Sequence, residues 1–225
     1  MLAACSSSIG GSAQRRPPAL LNEVLPTTDQ VAEAVGNPLD PAGSAASGSI
    51  SMLPNGIRDG KDVAPLDCLG SASPLMRVVY EKGDVHQVAL RDFARYGEGL
   101  TVSSVHAGVV RFSSDAEAAR MFGDFATRWR VCDGTAVRVH VTPTSDLQWR
   151  VGGVRNDGAV LCDTVVTGGG RNQAAFSTEH ALGLVDAYIV EADVAVTDPP
   201  PGGLEANTRA VDLVREMVGN VNRAS

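Results

Sequence analysis

Basic residues in excess are missing from this chain. Lys and Arg number 19 against 26 Asp and Glu, which gives a formal net charge of -7 and a pI of about 5.0. A nucleic-acid binder normally carries a basic stripe, and its absence excludes nucleic acid as a partner. The same acidity excludes adhesion to anionic lipid by charge alone. Lysine is scarcest of all, at Lys61 and Lys82 only, while Arg, Ala, Gly and Val abound; this reads as coding bias rather than chemistry. No continuous apolar run reaches the roughly 18 to 20 residues of a membrane span. No CxxC or CxxxC pair exists, which argues against a zinc site or a thioredoxin-like centre. GxxxxGK[ST], GxSxG and HExxH are absent, as is any internal repeat. His86, His106, His140 and His180 stand singly, without a second ligand at metal spacing, so each reads as a surface or hydrogen-bonded structural histidine. No carboxylate pair stands out. These absences leave no catalytic residue, no metal site and no cofactor to name.

What is present begins with "MLAACSSSIGGSAQ". "LAAC" looks like a bacterial lipobox, in which Cys5 becomes lipidated and the new N-terminus. The serines and glycines behind it suit a flexible tether leaving a membrane surface. The charged and apolar parts of a signal peptide would then lie upstream. The alternative is an unstructured N-terminus with a chance cysteine. If Cys5 carries lipid, Cys68, Cys132 and Cys162 remain, enough for one disulfide and one spare thiol. A bond between Cys68 and Cys132 would close a loop of about 63 residues, a constraint of roughly 4 kcal/mol in the chain-entropy model. Three buried thiols in a cytosolic protein is the competing reading.

The chain has 225 residues, 44% hydrophobic and 20% charged, which suits one domain with tails. Residues 1–20 read as tether and 21–225 as the domain. Thr27 and Gln30 form a capping box for a first helix that Gly36 ends. Residues 37–64, rich in Gly, Pro, Ser and Asp, are expected as a long surface loop. A helical turn at 66–70 and a helix from Pro74 to about Lys82 follow, then strands at 85–94 and 100–112. "SSDAEAARMFGDFATRWRVCDG" is the best-marked helix: Ser114 and Glu117 make a capping box, and Ala118, Phe122, Phe125, Trp129 and Cys132 share one face. From 135 the period changes to two. "AVRVHV" and "LQWRV" alternate, "GAVLCDTVV" is apolar on both sides, and Asn156-Asp157-Gly158 signals a hairpin. Strands at about 174–184 and 187–196 precede a last helix, 204–221, striped by Leu204, Val211, Val214, Val218 and Val221. The order predicts an α+β fold: a single twisted antiparallel sheet with the helices packed on one face.

"TGGGRN" lacks a phosphate-loop pattern and reads as a flexible hairpin tip. One polar constellation remains. Arg138, His140, Gln148 and Arg150 share the polar side of two neighbouring strands, where forked guanidinium donors could hold an anionic or polyhydroxylated ligand. A solvated sheet face with charges placed for solubility is the alternative.

The ordered motifs "LLNEVLPTTDQVAEAVG", "PLDC", "FSSDAEAARMFGDFATRWRVCDG", "WRVGGV" and "AVDLVREMV" resemble the PknH-like extracellular sensor domain family, from about Leu20 to Val221. Asp67-Cys68 and Trp129–Cys132 carry most of the likeness. The resemblance implies an α+β fold with an antiparallel sheet, a cleft of partly polar lining, and disulfides, with Cys68 and Cys132 as the matching pair. The family commonly has a second disulfide. Cys162 looks like one half of it, but "VEADVAV" offers no partner, so Cys162 is expected as a buried free thiol.

The function expected on these grounds is a non-catalytic, extracytoplasmic sensor, lipid-anchored to the cell membrane through Cys5. It would bind a small polar or anionic ligand in a sheet-lined cleft. An envelope structural or protein-interaction lipoprotein is the second reading. An envelope enzyme with a site built from scattered residues such as His140 and Asp163 is the third.

Overall fold

Period-two segments pair into one sheet, and the helical stripes cover it. "VHQVALRDFA" and "VSSVHAGVVRF" form β4 (Val85–Ala94) and β5 (Val102–Phe112). After helix α5 (Asp115–Cys132) come β6 (Ala136–Thr142), β7 (Ser145–Asn156), β8 (Val160–Gly168), β9 (Phe176–Val185) and β10 (Tyr188–Val196), and then α6 (Arg209–Ala224). Ahead of them stand α1 (Leu21–Val24), α2 (Thr28–Val35), α3 (Leu69–Ala72) and α4 (Arg77–Tyr80), with short strands β1 (Asp40–Pro41), β2 (Ala46–Gly48) and β3 (Val63–Ala64). The computed structural model describes residues 20–142, 145–168, 176–197 and 208–224. The tether with Cys5, the tip of "TGGGRN" beyond Gly168 and Leu204 lie outside those residues.

The sheet order is β1-β4-β5-β10-β9-β8-β7-β6-β3, with β2 also on β4, and the pairings are antiparallel. The hairpin β4–β5 and the meander β6–β10 join where β10 pairs with β5. Between β5 and β6 the chain must therefore cross five inter-strand gaps, about 24 Å at the usual spacing. Helix α5, 18 residues and hence about 27 Å long, makes that crossing. Its expected stripe of Ala118, Phe122, Phe125, Trp129 and Cys132 is buried against the sheet.

The α+β class with a single antiparallel sheet stands as expected. The helices differ in placement, because they cover both faces. On one face α5 packs with Tyr80, Val88, Val110, Leu161, Leu182 and Ile189. On the other, α1, α2 and α6 pack on Phe93, Val109, Cys162, Ala181 and Val190. Consecutive residues such as Ile189 and Val190 thus point to opposite cores. The central strands are apolar on both sides, and each side needs its own cover.

Local signals mostly hold. Thr27 Oγ1 accepts from the Gln30 N–H at 3.2 Å, and Gln30 Oε1 accepts from the Thr27 N–H at 3.0 Å. The Ser114 box is only half made: Ser114 Oγ accepts from Glu117 N–H, while the Glu117 carboxylate accepts from Arg120 and from the Asp84 N–H instead. Residues 37–64 are more ordered than a surface loop. They add β1 and β2 to one edge of the sheet and β3 to the other, and they bury Leu53 under the α5 face. The helix expected from Pro74 shrinks to Arg77–Tyr80. Leu75 sits at φ 54°, and its N–H is drawn to a buried carboxylate instead of a helical carbonyl. Cys68 and Cys132 form the disulfide, with Cα atoms 5.5 Å apart, and Cys162 is a buried free thiol. The bond pins the end of α5 to the start of α3 over the sheet.

Candidate functional site

Three central strands carry charged residues at positions their pattern would fill with aliphatics. β8 has Asp163, β9 has His180, and β10 has Glu191 and Asp193; Asp163, His180 and Glu191 are at most 1% exposed. Register explains why they meet. Asp163 is opposite His180, His180 opposite Asp193, Asp193 opposite His106 and His106 opposite Asp92. Directly paired residues project to the same face, so five strands lay down one row alternating carboxyl and imidazole. The row runs from the buried β8 position to solvent, where the His106 and Asp92 side chains are 52% and 53% exposed and 3.0 Å apart.

Glu191 is the hub of the buried end. Its Oε1 accepts from His180 Nε2 at 2.7 Å and from the Leu75 N–H at 3.1 Å, and its Oε2 accepts from the Tyr80 hydroxyl at 2.5 Å. His180 Nδ1 lies 3.4 Å from the Ser71 carbonyl and 3.8 Å from Asp163 Oδ1. Trp129 packs against the imidazole with ring centroids 4.6 Å apart and planes tilted by 43°. Helices α3 and α5, joined by the disulfide, and α4 therefore each contribute one contact to this cluster. Gly108 is directly opposite Glu191, and a Cβ there would lie 2.6 Å from a Leu75 methyl; the missing side chain lets Leu75 close over the carboxylate.

Burial and charge pull the titrations apart. Burial alone would push His180 down, but the Glu191 hydrogen bond and charge, with Asp163 and Asp193 behind them, hold it at about 9. Burial raises Asp193 to about 6 against the opposing pull of His180 and His106. Burial raises the Asp163 carboxyl and the Tyr80 hydroxyl well above their ordinary values. The Asp92 hydrogen bond raises His106. At neutral pH the row thus holds an imidazolium at His180 beside a carboxylate at Asp193.

Above the row, on the part of the α5 face that α5 leaves bare, lies a recess of about 130 Å³. His180 and Asp193 line it together with the hydroxyl residues Thr167 and Thr178. Trp149, Val165, Phe176 and the α3 end at Ala72 and Pro74 supply apolar walls. Asp193 Oδ1 is shielded from solvent and has no hydrogen-bond partner among the described residues. A second cavity, under α3 and α5, is only about 20 Å³ and is lined largely by apolar side chains such as Leu66, Val79 and Phe125. No group of three or more His, Cys, Asp or Glu able to hold a metal occurs among the described residues.

The four residues singled out in the sequence do come together, but elsewhere. Arg138 is directly opposite Gln148, Ala136 opposite Arg150, and His140 opposite Asp146, so all four share one exposed patch. Trp149 points into the recess, so its neighbours Gln148 and Arg150 point to the opposite face of the sheet. Asp146 partly neutralises that patch, 2.6 Å from His140 Nδ1 and 3.9 Å from Arg138 Nε. His140 and Asp163 lie on opposite faces and form no common site. Sequence reading missed the His180–Glu191–Asp193 cluster. Its one visible signal was acid and histidine set inside apolar strands, as in "VLCDTVV", "STEHALG" and "YIVEADVAV".

Comparison with known proteins agrees with this architecture. A model of the PknH-like extracellular domain matches residues 16–220. The crystal structure of the extracellular domain of PknH from Mycobacterium tuberculosis superposes with a TM-score of 0.75 at 16% identity, covering 92% of this chain and 98% of that one. At that identity the likeness speaks for the fold alone. A putative uncharacterized protein from Mycobacterium smegmatis, also 16% identical and covering 91% of this chain and 98% of its own, reaches a TM-score of 0.44, too low to carry an argument. No curated protein sequence matches.

Proposed function

The chain belongs to the PknH-like extracellular domain family, and from that premise we propose that it is a non-catalytic extracytoplasmic sensor that binds a small polar ligand in the recess over His180 and Asp193. The observation that carries the reading is a buried, charged cluster lying directly under a concave, half-apolar opening. Burying Asp163, His180 and Glu191 costs more than an aliphatic core would, and perturbed titrating groups gathered beneath a cavity make that cavity a candidate binding site. In this reading the recess takes the place of the patch at Arg138, His140, Gln148 and Arg150 as the ligand site. Among the described residues no helix is long and apolar enough to cross a membrane. The lipobox-like start supports membrane retention through lipid at Cys5, with residues 1–20 as tether. Intact mass of the native protein from its own membrane tests this; an unacylated Cys5 refutes it.

Thermal melting of the full chain with small polar fractions of the cell envelope tests the binding site. A ligand at about a hundred times its Kd adds about 2.7 kcal/mol, roughly 5–10 °C for a domain of this size. The rise should vanish in Trp149→Ala. A rise kept in Trp149→Ala but lost in Arg138→Ala/Arg150→Ala would move the site to the opposite face. A second reading draws on that exposed patch: β6 and β7 present it uncovered, and it could dock an envelope protein. Crosslinking in cells that depends on Arg138 and Arg150 would favour that reading.

A further inference from the structure

We propose that the recess selects a ligand that brings a hydrogen-bond donor, a hydroxyl or an ammonium, beside a flat apolar face, and that it rejects anions. This rests on the recess being the ligand site. Among the described residues no Arg or Lys lines it. The one cation among them, His180, is already committed, Nε2 to Glu191 and Nδ1 towards the Ser71 carbonyl and Asp163. Among the described residues an incoming anion would meet only uncharged donors, the Thr167 and Thr178 hydroxyls and the Trp149 indole N–H, and no free cation to balance its charge.

The Asp193 carboxylate is the opposite case. The carboxylate lines the recess, and its Oδ1 has no hydrogen-bond partner among the described residues, so a donor arriving there meets an acceptor that is not already satisfied. The groups facing it are His180 and Asp163 on one side, His106 and Asp92 on the other, and Glu191 on its own strand. Tyr80 approaches from α4, and Asp133 adds negative potential at Asp163 from the end of α5. Carboxyl groups outnumber imidazoles in this set, so the surroundings favour a neutral or positive guest. Trp149 and Phe176 offer apolar faces on which a ring or a cation can rest. A cavity of about 150 Å³ is known to hold a benzene ring, so an open recess of about 130 Å³ seats a head group with at most one six-membered ring resting partly outside it.

The test uses three probes with the same ring: benzyl alcohol, benzylammonium and benzoate. Each is titrated into the full-length protein while the Trp149 indole N–H is followed by NMR. Benzyl alcohol and benzylammonium should both shift that signal, with benzoate weaker by about tenfold or more. The stronger of the first two tells whether hydroxyl or ammonium is preferred. Asp193→Asn keeps an acceptor and removes the charge, so it should weaken benzylammonium about tenfold and leave benzyl alcohol nearly unchanged. Benzoate binding as tightly as benzylammonium would overturn the selectivity while leaving the recess as the ligand site. No shift from any of the three would overturn the recess itself.

Discussion

Raising the pH from 6 to 9 should unload one specific proton from the buried cluster. His180 holds its proton up to about pH 9 in the folded chain, against 6.5 when unfolded. Its contribution to stability is therefore complete below about pH 6.5 and is lost as the pH climbs through 9. At about 1.4 kcal/mol per pH unit the gap amounts to about 3 kcal/mol, or roughly 6–12 °C in Tm for a domain of this size. Asp193 acts in an earlier window. Its folded value of about 6 exceeds the ordinary 3.8, so the fold gives up stability there as the pH rises from about 4 to 6. Glu191→Gln isolates the histidine. Without the carboxylate, His180 loses its strongest raising partner while burial still lowers it, which should shrink the loss between pH 6.5 and 9. Urea unfolding of both proteins at pH 6 and pH 9 provides the assay. General charge repulsion grows equally in the two, so the difference between their slopes is the quantity of interest. A flat profile in the unaltered protein, or an equal decline in Glu191→Gln, would refute the assignment of His180 as the buried cation.

Three further outcomes follow from packing and covalent structure. Replacing Cys68 and Cys132 by Ser should cost up to about 4 kcal/mol by urea unfolding, the loop-closure value for a separation of 64 residues; an unchanged midpoint would contradict it. Two glycine substitutions should have opposite signs. Gly183→Ala places a Cβ 2.7 Å from a Val214 methyl where α6 packs on β9 and should destabilise by about 1–3 kcal/mol, whereas Gly123→Ala on the exposed side of α5 meets nothing within 4 Å and should stabilise by about 1 kcal/mol. The Cys162 thiol, raised by burial, should react with a thiol reagent only at the rate of local opening; prompt modification of the native protein would show it accessible.

The parts legible in the sequence were those with local causes. Ala136–Thr142 announced its strand by alternation. Ser114 and the Phe122–Phe125–Trp129 stripe announced α5, and Thr27 with Gln30 announced α2. The disulfide came from family resemblance rather than from spacing. Features that depend on which strands become neighbours were hidden. "GAVLCDTVV" is apolar on both sides and so demands cover on both faces, but nothing local in it says which helices supply that cover. Asp92, His106, Asp163, His180 and Asp193 come from five strands, and only the insertion of β10 beside β5 aligns them. The Arg138 patch was drawn correctly from local pairing of β6 with β7. Its pairing with Asp146, and the recess on the opposite face, required the third dimension.

The most direct measurement of the central claim is an NMR map of the protein with the small polar fraction of its own cell envelope. The account predicts shifts at the Trp149 indole, the His180 and His106 rings and the Thr178 amide, with Arg138, Gln148 and Arg150 unmoved. Shifts gathered at those three residues, or none at the recess, would contradict it.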